Sequence, residues 1–72
     1  MDGKEITPIE PLTEREVDIL KCIAAGMSTA GIAREMGLKP TTIMWYRKRL
    51  HLKFNVHTAM ELVYKAAEQR II

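Results

Sequence analysis

Five cations and no acid lie in the stretch Lys39 to Phe54, KPTTIMWYRKRLHLKF. The cations are Lys39, Arg47, Lys48, Arg49 and Lys53. Such side chains on a helix can neutralise phosphate oxygens and donate hydrogen bonds to acceptors on base edges. Pro40 suits a first helical position, where its missing N–H would be an orphan anyway. Ile43, Tyr46 or Arg47, Leu50 and Phe54 recur at helical spacing and make one inward stripe. Met44, Trp45, Lys48, Arg49 and Leu52 then point away from it. An apolar back with a front of Trp, Met and cations suits a DNA major groove. A solvated basic face has the same composition, so this stretch alone leaves both readings open.

What precedes the stretch must hold it. Thr13-x-x-Glu16 reads as a capping box opening a helix over 14–25, with Leu12 and Val17 placed as a hydrophobic staple. Val17, Leu20, Ile23 and Ala24 are its expected core stripe, and Gly26 its left-handed stop. Ser28 caps a short second helix, 29–36, whose inward side is Ile32, Ala33 and Met36. Gly31 inside that helix costs about 1 kcal/mol relative to Ala. Only Gly37, Leu38 and Lys39 separate it from a helix over 40–54. Two helices joined by a three-residue turn containing Gly make a helix-turn-helix, which projects the second helix outward. Asn55 can close helix 3 in the left-handed conformation. Thr58-x-x-Glu61 opens a fourth helix over 59–70. There Leu62, Ala66 and Met60 are expected to face inward, and Val63, Tyr64 and Ala67 outward. An outward apolar strip on so small a domain suggests self-association. The competing reading packs all of them on helix 1 and the leader.

Length and composition bound the rest. Seventy-two residues make one small all-α domain over 12–72, preceded by a leader or linker over 1–11 in which Ile6 and Ile9 could dock on the core. There is no apolar run long enough to span a membrane and no secretory h-region. The single cysteine, Cys22, cannot form an internal disulfide and reads as a small buried thiol, which favours a cytoplasmic location. Residues 1–36 carry four cations against seven acids, a net charge of −3. Residues 37–72 carry seven against two, a net charge of +5. The asymmetry points to a polyanionic partner on one side of the molecule. No nucleophile–base arrangement, glycine-rich phosphate loop or metal set is present, so no enzyme activity and no cofactor are expected. His51 and His57 lack the neighbours a zinc site needs.

Several landmarks occur in order: Leu12–Glu16 as Leu-Thr-x-Arg-Glu, Ala24–Ser28 as Ala-x-Gly-x-Ser, Ile32-Ala33, Thr42-Ile43, and Lys53-Phe54-x-Val56. From Leu12 to Ile72 the chain resembles the LuxR/GerE-type DNA-binding domain. The resemblance implies four helices binding pseudo-palindromic DNA as a dimer, with helix 3 in the major groove and helix 4 at the dimer contact. It implies a transcription regulator, often tethered to a receiver or ligand-sensing domain, with RNA polymerase as a further partner. The family's base-reading positions correspond to Met44, Trp45 and Lys48. The chain departs from the family at Thr29-Ala30-Gly31, where Asn-Lys-Glu is usual, at Lys39, where a Ser cap is usual, and at Met44 and Tyr46, where Lys and His are common. It should therefore read a different DNA sequence.

On that frame Lys48 would donate to guanine O6 and N7, and Met44 and Trp45 would touch thymine methyls. Ser28, Thr29, Lys39, Thr41, Thr42, Tyr46, Arg49 and Lys53 would hold phosphates. Trp45 has a competing role as a half-buried packing residue, and Tyr46 as core edge. Arg47 is expected to pair with helix 1 acids rather than DNA. The alternative function is a protein-interaction adaptor or anti-activator, with Met44, Trp45 and Leu52 as an apolar anchor.

Overall fold

Three of the four helices begin at a side-chain cap that the sequence supplies, and the other at a proline. The structure, a computed structural model, describes residues 11–72; the docking expected of Ile6 and Ile9 lies outside the described residues. Helix α1 spans Glu14–Ala24, α2 Thr29–Met36, α3 Pro40–Phe54 and α4 Ala59–Glu68. The fold is all-α, and among the described residues no strand occurs. At the start of α1 the Glu16 amide donates to Thr13 Oγ1 (3.1 Å) while Glu16 Oε1 accepts from the Thr13 amide (2.9 Å). Thr58 and Glu61 repeat the arrangement on α4. Glu61 also accepts from the His57 amide, and these two backbone bonds hold its carboxyl below the ordinary range. Ser28 Oγ caps α2 by accepting from the Gly31 amide at 3.0 Å. A Cβ at position 31 would stand 3.2 Å from that oxygen, closer than ordinary van der Waals contact.

Every helix ends in the same way. The chain turns through one left-handed residue, and the next amide reaches back five residues. Met27 N–H donates to Cys22 O, Leu38 to Ala33 O, Val56 to His51 O and Ile71 to Ala66 O, at 2.9–3.1 Å. The left-handed residues are Gly26, Gly37, Asn55 and Arg70. The first three were legible as stops. Arg70, at φ 61°, was not, which is why α4 ends at Glu68 rather than at 70. Ile71 and Ile72 pack on the core, and that burial holds a long side chain in a conformation it disfavours. Replacing Arg70 with Gly removes the steric cost. The Arg70→Gly variant is expected to be more stable by up to about 1 kcal/mol, read as a higher midpoint in urea; a lower midpoint would contradict the account.

The core is Ile19, Leu20, Ile23, Ile32, Ala33, Ile43, Leu50, Phe54, Val56, Leu62 and Ala66. Leu38 in the elbow and Leu12 before α1 pack against it. Two expectations are corrected. On α1 the buried face is Glu16, Ile19, Leu20 and Ile23, whereas Val17 is half-buried and Ala24 exposed. Burial of Glu16 rotates the inward stripe to the 16/19/20/23 spacing. On α4, Met60 is 82% exposed and Val63 packs partly on the core. Leu62 and Ala66 fill the inward side and leave Met60 on the far side of the first turn.

Candidate nucleic-acid interface

The three-residue elbow Gly37–Lys39 sets α3 against α2. Ile43, Leu50 and Phe54 bury its inner stripe, and Tyr46 packs against the same core. The outward side, at the i, i+3, i+4, i+7 spacing of one helix face, carries Thr41, Met44, Trp45 and Lys48, all exposed, and continues to exposed Leu52. Trp45 is 54% exposed, so it is not a core packing residue. Its ring lies edge-on to Tyr46, with centroids 5.0 Å apart and planes at 81°. The Arg49 guanidinium sits 5.0 Å from the Trp45 ring centroid. A cation over an indole face is attractive, so the exposed ring is held from two sides.

Behind this face lies a buried carboxylate. Glu16 is 2% exposed. Lys53 Nζ donates to Oε1 and Oε2 at 2.9 and 3.0 Å, and Arg49 Nε lies 3.5 Å from Oε2. Burial pushes the Glu16 carboxyl up, but the Thr13 amide, the Lys53 ammonium and Arg49 together outweigh it, and the group titrates below its ordinary range. One side chain thus completes the α1 cap and anchors the C-terminal half of α3. The first role is local and legible in the sequence; the second depends on residues 33 and 37 positions away. The signal was present: Glu16 stands one turn ahead of Ile19 and Leu20 and two ahead of Ile23, on their own stripe.

The expected phosphate residues fall into three groups. Lys39, Thr41 and Ser28 are exposed, and Thr29, Thr42, Tyr46 and Arg49 half-buried. Lys53 is turned inward, its side chain only 11% exposed. Lys39 makes no side-chain cap to α3. The ion pairs to the helix 1 acid come from Arg49 and Lys53, not from Arg47 as expected. Arg47 instead gives its carbonyl to His51 Nδ1–H at 2.7 Å, and it stands on α3 two and six residues away from those partners. On α4, Tyr64 and Ala67 are exposed beside half-buried Val63. Met60 and Tyr64 line a groove with Asn55, Val56, Glu61 and Lys65. Among the described residues no cluster suited to a metal ion is found, and no helix is long and apolar enough to cross a membrane.

Residues 10–66 match the family described as bacterial regulatory proteins, luxR family. The chain belongs to the LuxR family. Its helix-turn-helix is that of a LuxR-type transcription regulator domain. It is 35% identical over 63 residues to the response regulator UvrY of Escherichia coli K12, covering 88% of this chain and 29% of UvrY. It is 38% identical over 56 residues to the transcriptional regulatory protein UhpA of Salmonella typhimurium, covering 78% of this chain and 29% of UhpA. The chain therefore spans under a third of the length of these relatives. Two solved structures share the fold. The response regulator ChrA of a heme-sensing two-component system has a TM-score of 0.84 at 24% identity, over 92% of this chain and 33% of ChrA. VqmA of Vibrio cholerae, solved as a ligand–DNA complex, has a TM-score of 0.78 at 25% identity, over 99% of this chain and 31% of VqmA.

Proposed function

We propose that this LuxR-family domain binds double-stranded DNA sequence-specifically as a transcription regulator, with α3 in the major groove. The observation that carries it is the outward row Thr41, Met44, Trp45 and Lys48 on a helix whose opposite stripe is sealed in the core. Lys48 donates to guanine O6 and N7, and Met44 and Trp45 touch thymine methyls. Ser28, Thr29, Lys39, Thr41, Thr42, Tyr46 and Arg49 supply phosphate contacts, aided by the open amides at the start of α3. Lys53 braces Glu16 and stays off the DNA. The likeness to VqmA, solved in a complex with DNA, supports DNA binding. The site of action is the nucleoid, and a tethered regulatory domain or RNA polymerase is the further partner.

An electrophoretic shift assay on random duplexes at two salt concentrations tests the reading, and the absence of any shift at low salt overturns it. Arg49→Ala is expected to weaken binding to all duplexes alike and to reduce the slope of log K against log salt by about 0.9. An unchanged slope removes Arg49 from the phosphate set.

Two copies would pair through the outer side of α4, using Val63, Tyr64 and Ala67. Two α3 helices then enter successive major grooves about 34 Å apart, on half-sites about 10 bp apart. Tyr64→Glu, at an exposed position, is expected to abolish cooperative binding to paired half-sites while leaving single half-site affinity intact. Persistent cooperativity would place the contact elsewhere.

A further inference from the structure

We infer that Met44 and Trp45 form a reader for the C5-methyl group of pyrimidines, so that this helix takes thymine and 5-methylcytosine as one chemical class. The inference rests on the major-groove reading above. It begins with what α3 lacks. Between Met36 and Phe54 there is no Asp, Glu, Asn or Gln. The usual acceptors for cytosine N4–H2, and the usual bidentate partners for adenine, are therefore missing from the reading helix. Its exposed side chains offer the Lys48 ammonium, the Thr41 hydroxyl, a thioether and an indole. Ammonium donors suit guanine O6 and N7 and thymine O4. Against a pyrimidine C5, the middle of the exposed row offers two large apolar side chains, with the Thr41 methyl before them and Leu52 two turns on.

The apolar pair is placed for this task. Met44 and Trp45 are neighbours in the chain, each more than half exposed. Trp45 is held by the Tyr46 edge contact and by Arg49 over its ring, and Arg49 is itself tethered to Glu16. The indole therefore meets DNA already fixed, losing little rotamer freedom. Met44, unbranched and polarizable, can fill the remaining gap around a methyl group. A cytosine at the same place presents C5–H, leaving the apolar surface without a partner and the N4 amine without a carboxylate acceptor. Methylation at C5 restores the partner.

Duplexes selected by the whole protein from a random pool supply the probe. In one arm each thymine is replaced in turn by deoxyuridine, which removes only the methyl group. In the other each thymine is replaced in turn by cytosine and by 5-methylcytosine, each paired with guanine. At one or two positions deoxyuridine should lose affinity about fourfold, and 5-methylcytosine should bind tighter than cytosine by as much, the scale of one buried methylene. A loss with deoxyuridine but no gain of 5-methylcytosine over cytosine confines the contact to thymine and overturns the shared class. The double variant Met44→Ala, Trp45→Ala, whose melting is checked by circular dichroism, should bind methylated and unmethylated duplexes alike. Equal binding in both arms by a duplex that is specifically bound overturns the methyl reader and leaves DNA binding standing. Discrimination that survives in the double variant also overturns it. Failure of every duplex to bind overturns the DNA-binding reading, and the methyl reader with it.

Discussion

Glu16→Ala is expected to remove a large share of the domain's stability, read as a sharply lower urea midpoint. Removing one partner of a buried ion pair costs up to about 3–5 kcal/mol, and here Lys53 Nζ loses both bonds it makes to the carboxylate. A domain of this size has about 3–9 kcal/mol in total. The carboxylate also accepts from the Thr13 amide and faces Arg49 at 3.5 Å, so the cap of α1 and the anchor of α3 are lost together. Lys53→Met should cost somewhat less, since Arg49 remains near the carboxylate. The pair Glu16→Met, Lys53→Met should recover part of the loss, as apolar replacements of buried ion pairs often do. The pH dependence has a definite sign. The folded-state pKa of Glu16 is lowered, so its stabilisation is complete above the ordinary glutamate value of 4.5. It fades as pH falls through the lower folded value. Urea midpoints measured from about pH 6 down to about pH 2.5 should drop, and Glu16→Gln should flatten that drop. A wild-type midpoint indifferent to acid would contradict the anchoring role.

Lys48→Ala is expected to relax base preference at one position of each half-site by about 1–3 kcal/mol, roughly 5- to 150-fold. The change should concentrate at a guanine, because an ammonium offers donors only. Melting temperature should hold, since Lys48 is exposed and makes none of the contacts that secure α3. Binding selections on random duplexes, repeated with the variant, read the preference directly. A uniform loss across all positions would recast Lys48 as a phosphate contact.

Helix starts were legible because they rest on local chemistry: Thr13, Ser28 and Thr58 each have their own partner three residues on. Stops at Gly26, Gly37 and Asn55 were equally plain, since those residue types tolerate positive φ. The stop at Arg70 was hidden, because what forces it is burial of Ile71 and Ile72, a tertiary cause. The inward face of α1 was misjudged for a related reason. A charged residue inside the core stripe breaks the apolar pattern, and what makes that burial tolerable is the Thr13 amide together with Arg49 and Lys53, the latter 37 positions later. The same long-range pairing turns the Lys53 side chain inward, which its place in a basic stretch does not reveal. The exposed Met44, Trp45, Lys48 and Leu52 could be read in advance because they complement a regular apolar period, whereas Arg49, expected beside them, is half-buried and drawn to Glu16 on α1.

Asn55 and the Thr58 box fix how the chain leaves α3 and enters α4, and Lys65 Nζ donates to the Phe54 carbonyl at 3.2 Å across that corner. The corner has little freedom to swivel. Two copies joined back to back through α4 would then act as a calliper of set span. Inserting one base pair at the centre of a bound operator rotates one half-site by about 34° about the DNA axis. Such a calliper cannot follow that rotation, so it would grip one arm of the lengthened operator and release the other.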